Sequence, residues 1–464
     1  MPAYPSDQPN KRYDLIGVGI GPFNLGLAAL LDRVPEIDAL FLEQKPRFEW
    51  HSGMLLEGTT IQVPFLADLV TMVDPTSRFS FLSYLQAQQR LYRFYFLERF
   101  HILRSEYNDY CQWVADQLES CRFGQRVESV RWIEADDQSY FEISAREINS
   151  AVMHRYQSRH LVLGVGAEPY LPEFCRGLPH EDVFHSAAFR HHRDRCRRAA
   201  AIAIVGSGQS AAEIFLALLQ EQHALGYRLD WFTRSRGFFP MEYSKLGLEH
   251  FSPDYIRYFY HLPLERRDAV RAQQDLLYKG ISHKTIADIY DLLYERSVAG
   301  KEPAVRLLAH TDVEGIEPIS VADATPRYRL CLRQWEQGQR FTAETGCVVL
   351  ATGYRYMVPS FLEGVGHLIE WDYQRRYVVD LDYRLVLRRK IPNQIFVQNG
   401  EIHTHGIGAP DLGLGPYRNA VIINTLTGCS IYPVQDRNVF QHFGIQPSPG
   451  EHALALPRGR RASG

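Results

Sequence analysis

Two copies of one device constrain this 464-residue chain more than anything else in it: a short apolar strand runs into a glycine turn and then an amphipathic helix. The first copy reads Tyr13-Asp14-Leu15-Ile16-Gly17-Val18-Gly19-Ile20-Gly21-Pro22-Phe23-Asn24 and continues as Leu25-Gly26-Leu27-Ala28-Ala29-Leu30-Leu31. Within it, Gly19-x-Gly21-x-x-Asn24 is a GxGxxG variant with Asn in the third place. Such glycines let the backbone turn sharply and approach a pyrophosphate, whose charge meets the helix N-terminus. The next apolar run, Ala39-Leu40-Phe41-Leu42-Glu43, ends in an acid 24 residues after Gly19, where a carboxylate accepts ribose hydroxyls. The second copy is Ala201–Val205 followed by Gly206-Ser207-Gly208-Gln209-Ser210-Ala211, a clean GxGxxA. Its next strand, Leu229–Thr233, ends in Arg234-Ser235-Arg236, and a cation there suits the 2′-phosphate of NADP(H). Either turn alone reads equally well as a structural tight turn. Two complete contexts with opposite charge at the second strand's end point to two dinucleotide sites.

Two such sites, one chosen for NADP(H), make sense if a hydride passes to a second bound redox cofactor, and FAD is the natural occupant of the first. The expected fold class is α/β, with two Rossmann-like dinucleotide-binding domains (FAD and NADPH), the second inserted in the first. The expected boundaries are 13–190 for the first part of the FAD domain and 195–345 for the NADPH domain. A return segment at 346–430 then completes the FAD and substrate domain. Cys347–Tyr354, containing Thr352 and Gly353, reads as a buried strand and turn returning to the first domain. Helix-like apolar spacing covers Phe79–Leu97, Glu106–Leu118 and Leu264–Tyr278. Residues 1–12 and 447–464 read as frayed tails.

Lys and Arg number 51 against 54 Asp and Glu, so a net charge of −3 argues against nucleic acid as a partner. No apolar run approaches the roughly 18–20 residues that span a bilayer, so no membrane association is expected. The opening Met1-Pro2-Ala3-Tyr4-Pro5-Ser6 lacks the pattern of a secretory signal, so a cytoplasmic location is expected. The 7 cysteines are scattered and none pairs as Cys-x-x-Cys, which argues against a disulfide scaffold, a dithiol active site or a zinc ribbon. Without a dithiol to reduce, a reduced flavin turns to molecular oxygen. His180, His185, His191, His192 and Cys196 read as surface or capping groups, and no metal is required.

Six segments follow in order: Gly17-Val18-Gly19-Ile20-Gly21-Pro22-Phe23-Asn24-Leu25, Trp50-His51-x-Gly53-Met54, Gln62-x-x-Phe65-Leu66-x-Asp68-Leu69, Gly206-x-Gly208-Gln209-Ser210, Ala351-Thr352-Gly353-Tyr354 and Thr404-His405-Gly406. Over about residues 13–430 this set resembles the microbial N-hydroxylating flavoprotein monooxygenases that make hydroxamate siderophore precursors. The resemblance implies that NADPH reduces FAD, that oxygen adds to give a flavin hydroperoxide, and that a primary amine attacks its distal oxygen. The amine must be neutral to attack, although a free alkylamine has a pKa near ~10.4. It also implies Gln62 beside the flavin ring as a catalytic residue, with Trp50 and His51 at the flavin edge. Ser207, Gln209 and Arg234 then serve the nicotinamide nucleotide, and Asp411-Leu412 opens a helix facing the flavin. A homo-oligomer, dimer or tetramer, is expected by the same analogy.

The resemblance also speaks to the amine. Family members acting on ornithine or lysine carry Lys inside the Phe-Leu-x-Asp-Leu segment, where it pairs with the substrate α-carboxylate; here that position is Ala67. They carry Asn where this chain has Leu248. A buried carboxylate without cation or amide donor costs several kcal/mol (order of magnitude), so Ala67 and Leu248 suit an aliphatic diamine such as putrescine or cadaverine. Glu401 is the first candidate for its distal ammonium, ahead of Glu249 and Asp411. The alternative is an L-ornithine or L-lysine N-monooxygenase in which Lys245 or Arg257 takes the carboxylate. A different class, a flavin-bearing electron relay, would consume NADPH without making a hydroxylamine.

Overall fold

The computed structural model describes residues 11–135, 138–319 and 327–445. The strands of its first half are β1 (Arg12–Val18), β2 (Ala39–Glu43), β3 (Cys121–Phe123), β4 (Gln125–Ile133), β5 (Tyr140–Glu147), β6 (Met153–Leu163) and β7 (Glu168–Pro169). Then come β8 (Val183–His185), β9 (Ala201–Val205), β10 (Arg228–Phe232), β11 (Val305–Leu308), β12 (Thr311–Ile319), β13 (Arg327–Gln334), β14 (Gln339–Thr345), β15 (Cys347–Leu350), β16 (Tyr354–Arg355) and β17 (Ile395–Val397).

One sheet has the order β3-β2-β1-β6-β5-β4, with β17 also pairing β6. Its parallel centre is buried on both faces: Leu15, Ile16, Leu161, Val162 and Leu163 are fully buried, as continuous apolar strands require. The second sheet, β11-β10-β9-β15-β8, has every neighbouring pair parallel. Two nucleotide-type α/β units are therefore present, as expected.

The boundaries differ from expectation. β15 does not return the chain to the first sheet. It lies between β9 and β8, with Val348 opposite Ala203 and Val183. The inserted unit thus runs from about residue 183 to 350, and β17 completes the first sheet. Periodicity marks a buried parallel strand but carries no information on which of two such sheets receives it. Arg12 opens β1 and is no part of a tail; residues 1–10 and 446–464 lie outside the described residues. Phe79–Leu97 is two helices, Phe81–Ala87 and Leu91–Leu97, with Gln89 between them at φ +55°. Leu264–Tyr278 likewise divides into Leu264–Ala272 and Asp275–Tyr278. No helix among the described residues is long and apolar enough to cross a membrane.

Candidate active site

The first glycine turn is built as a nucleotide cradle. Gly19 has φ +87°, and a Cβ there would lie 2.6 Å from the Gly164 carbonyl oxygen at the end of β6. A Cβ on Gly21 would meet nothing within 4 Å, so this face of the turn is open above the N-terminus of helix Pro22–Leu31. Asn24 does not face that opening. It is fully buried, donates to the Gly19 carbonyl at 2.7 Å and accepts from Gln398 Nε2 at 2.7 Å, tying the turn to the segment after β17. Glu43 ends β2 beside the turn, its oxygens accepting from Ile20 N at 2.8 Å and Lys45 N at 2.9 Å. A narrow cleft between Pro22, Phe23, Asp68, Leu69, Leu412 and Asn419 brings the 68–69 and 412–416 segments against this helix. Gln62 Nε2 is buried without a hydrogen-bond partner. An open glycine turn, an adjoining carboxylate and an orphaned amide donor fit FAD.

In the second turn Gly206 packs against β15, where a Cβ would stand 2.2 Å from the Ala351 oxygen. Gly208 opens the 17-residue helix Gln209–Leu225, with Ser210 in its first turn, and a Cβ on Gly208 would meet only the Lys279 oxygen, at 3.6 Å. Ser207 Oγ lies 2.8 Å from Ser235 Oγ. Arg234 and Arg236 are exposed and carry no ion pair among the described residues, which leaves both free for a phosphate. These features fit a dinucleotide with a 2′-phosphate. The Gln209 side chain is committed elsewhere: it donates to Glu213 and Thr285, each at 3.0 Å, and accepts from Ser282 N at 2.7 Å.

Between the two turns lies a cluster of rings. The His51 ring is 4.7 Å from Trp50 and 5.8 Å from Tyr354, and Tyr354 is 5.1 Å from His185. Gly353, at φ +82°, accepts from the His185 ring at 2.9 Å, and Thr352 Oγ1 donates to the Tyr170 carbonyl. Desolvation and the charges of Arg104 and Lys45 push the His51 pKa down to about 4, so it is neutral near pH 7. Arg104 itself reaches across the junction. It donates to the Met54 carbonyl at 2.8 Å and forms a two-pronged pair with Glu213, at 2.8 and 2.9 Å. Among the described residues no group of His, Cys, Asp and Glu could hold a metal.

A family model for L-lysine 6-monooxygenase/L-ornithine 5-monooxygenase matches residues 11–356. The chain belongs to this family. It is 43% identical over 433 residues to a putrescine N-hydroxylase of Shewanella oneidensis, covering 93% of this chain and 84% of that one. It is 46% identical to a rhizobactin siderophore biosynthesis protein of Rhizobium meliloti, covering 94% and 96% of the two chains. The crystal structure of a cadaverine monooxygenase of desferrioxamine biosynthesis from Erwinia amylovora, bound to FAD, superposes with a TM-score of 0.89. That protein is 41% identical, and the match covers 95% of this chain and 100% of that one.

On the Gly413 side of this N-monooxygenase, Ala67 is buried, and a Cβ on Gly413 would lie 3.6 Å from its methyl group. Asp411 Oδ1 accepts from Gly413 N at 2.8 Å and would lie 3.0 Å from that same Cβ, so Ala67 and Asp411 both border Gly413. Burial raises the Asp411 pKa to about 6. The Tyr243 hydroxyl is pushed up to about 12 by burial and then by the charge of Asp411, which brings the 243–248 segment to this side. Leu248 closes the short helix Lys245–Leu248 and is 41% exposed.

The structure corrects the first choice for an ammonium acceptor. Glu401 is fully buried and 3.1 Å from Arg418, whose guanidinium lies over the Phe23 ring at 4.6 Å. A carboxylate paired inside the protein is not free to take a substrate ammonium. Glu249 is also engaged, accepting from the backbone of Phe440 and Gln441 at 3.1 and 2.9 Å. Arg257, a candidate carboxylate partner, donates to the Asp436 carbonyl and lies 3.8 Å from Asp254. Arg104, Glu213 and Arg418 escaped the sequence reading. Only Arg104 carried a signal, a cation in the first turn of helix Arg104–Ala115, where the dipole disfavours it.

Proposed function

We propose that this enzyme N-hydroxylates one primary amine of an aliphatic diamine, putrescine or cadaverine, using NADPH, FAD and O₂, toward a hydroxamate siderophore in the cytoplasm. The observation that carries the reading is that Ala67 and Asp411 border the same glycine, Gly413. The position that would present a lysine to an α-carboxylate is a buried methyl, and the charged group on the other side of Gly413 is a carboxylate. A substrate carboxylate there would be repelled and unpaired, whereas a second ammonium would be held. The putrescine and cadaverine enzymes among the relatives support the same choice.

FAD, when bound, supplies activation of oxygen and delivery of one atom to the amine. The chain's own residues bind and orient. Gly21 and the helix behind it receive the pyrophosphate, Glu43 the ribose, and Gln62 offers its unpartnered amide to the ring system. Arg234 and Arg236 bind the NADPH phosphate. Asp411, held at Oδ1 by Gly413 N, would take the distal ammonium, which would leave the reacting amine at the flavin end. There the neutral His51 adds no positive charge, and exclusion of water favours the uncharged, nucleophilic amine.

The test is hydroxylamine formation with NADPH across putrescine, cadaverine, L-ornithine and L-lysine. Putrescine or cadaverine should give the highest kcat/KM. Ornithine or lysine as the best substrate would end the diamine reading, and NADPH oxidation with no hydroxylated product from any amine would favour an electron relay.

A further inference from the structure

The segment 406–415 carries Asp411, and four of its ten residues are glycine: Gly406, Gly408, Gly413 and Gly415. Glycine loses more conformational freedom on folding than any other residue, so a carboxylate seated here is only as fixed as the contacts of its loop. At the Asp411 end those contacts are local. Asp411 N donates to the Gly408 carbonyl at 3.0 Å, and Oδ1 accepts from Gly413 N at 2.8 Å. Arg418, near the start of the helix Gly415–Thr427, closes the base of the loop: its Nη2 donates to the Ala409 carbonyl at 2.6 Å, across nine positions. The guanidinium is itself well held. It is buried, pairs with Glu401 at 3.1 Å and lies over the rings of Phe23 and Tyr383, at 4.6 and 5.5 Å. Glu401 is fixed in turn, Oε2 accepting from Gly400 N at 2.7 Å. Phe23 stands in the first turn of the helix Pro22–Leu31, so one cation touches both the first nucleotide cradle and the Asp411 loop.

We propose that Arg418 is the positioning residue for Asp411, holding the 409–413 loop against the first glycine turn from inside the protein. This role rests on the reading in which Asp411 takes the distal ammonium. Arg418 acts through geometry, by closing the loop, and through charge, because a nearby arginine favours the ionised carboxylate. Burial raises the Asp411 pKa, and the N–H groups of Gly413 and Leu414 and then the charge of Arg418 oppose it. From the 243–248 segment the Tyr243 hydroxyl faces Asp411 and stays protonated across the working range. Asp68, across the cleft from Leu412, is turned to the backbone N–H groups of Val70, Thr71 and Phe81. Arg418 touches neither flavin nor amine in this role, so its loss falls on KM and on the pH dependence of KM, not on kcat.

The test follows hydroxylamine formation by the FAD-loaded enzyme from about pH 5.5 to 8.5, with the diamine it turns over fastest. Arg418→Met/Glu401→Leu replaces the buried pair by apolar groups, which can preserve stability, and should keep the melting temperature and flavin content of the wild type. Its KM at pH 7.5 should be about tenfold higher with kcat within about threefold. The pH below which KM rises should move up by about one unit. Arg418→Lys keeps the charge without the planar fork, and should return that pH to the wild-type value while recovering only part of the KM. A folded, flavin-loaded double variant with the KM and pH dependence of the wild type would overturn the proposal, as would a loss confined to kcat. Asp411→Asn, measured beside it, separates two failures. If it too leaves KM unchanged, Asp411 is no part of the site and the underlying reading falls together with the role of Arg418. If it raises KM while the double variant does not, Asp411 keeps its place and Arg418 alone is removed. Where the double variant fails to fold, Arg418→Gln keeps a donor for the Ala409 carbonyl without the charge, and an unmoved pH dependence of KM in that variant overturns the proposal equally.

Discussion

Burial decides which carboxylates can serve the substrate. Glu401 and Asp411 both stand in the segment that follows β17, and by residue type they are interchangeable candidates. Glu401 is spent on Arg418, a partner brought near only by the fold. Asp411 is held by a backbone N–H at one oxygen and is raised to about 6 chiefly by desolvation. A carboxyl with a raised pKa is ionised above that value and neutral below it. Ammonium binding is therefore present above pH 6 and lost as the pH falls through it. KM for the diamine should rise about fourfold from pH 7.5 to 5.5, because the ionised fraction of a carboxyl with a pKa of about 6 falls about fourfold over that interval. Asp411→Asn should show the high KM at every pH, so that its remaining pH dependence reports the substrate's own amine. Steady-state KM across that range checks this, and equal KM values for the two proteins at pH 7.5 would remove Asp411 from the site. The two glycine turns and the place of Glu43 at the end of β2 were legible in the sequence because both are local features. The fates of Asn24, Gln209 and Glu401 were not, because each is set by a partner far along the chain.

At the scale of elements, the pair Arg104–Glu213 joins the helix Arg104–Ala115 of the first unit to the helix Gln209–Leu225 of the second. Both side chains are buried, and Gln209 extends the link from Glu213 to Thr285 and Ser282 N beside the second glycine turn. On the other side Arg104 grips the Met54 carbonyl, three residues from His51. The link ties the second glycine turn to the Trp50–Met54 segment. Breaking a buried pair by removing one partner costs about 3–5 kcal/mol, whereas replacing both by apolar groups can restore stability. Glu213→Gln should lower the melting temperature and slow reduction of bound flavin by NADPH about tenfold or more. Arg104→Met/Glu213→Leu should recover the melting temperature without recovering the reduction rate, measured by stopped-flow absorbance. A double variant that reduces at the wild-type rate would make the pair a purely structural contact. The two helices were each readable from apolar spacing. Their pairing was not, because the contact spans 109 positions and no local pattern encodes it.

For the whole molecule, the misplaced boundary at β15 and the seating of Met54 and Leu56 teach the same lesson. The two strand–glycine-turn–helix motifs pointed to two nucleotide units, but the units are interleaved more deeply than an insertion with clean edges. Met54 and Leu56 come from the first unit's segment after Trp50 and His51, yet they are buried in the core formed by Phe184, Phe189, Ile202, Ile204 and Phe215 of the second. Gly53 makes this approach possible, since a Cβ there would stand 1.8 Å from the Ala187 carbonyl oxygen. The second unit cannot unfold without exposing side chains of the first and stranding Arg104, and unfolding of the first removes part of the second core. The enzyme should therefore melt in one cooperative transition by calorimetry. NADP⁺ at about a hundred times its Kd stabilises the native state by about 2.7 kcal/mol, and in a single cooperative unit it should raise that one transition and slow FAD release together. Two resolved transitions, with NADP⁺ moving only one of them and leaving FAD release unchanged, would show that the shared core does not couple the units. Gly53→Ala should be the first variant to split the transition, because its added methyl pushes on the backbone at the point where the two units meet.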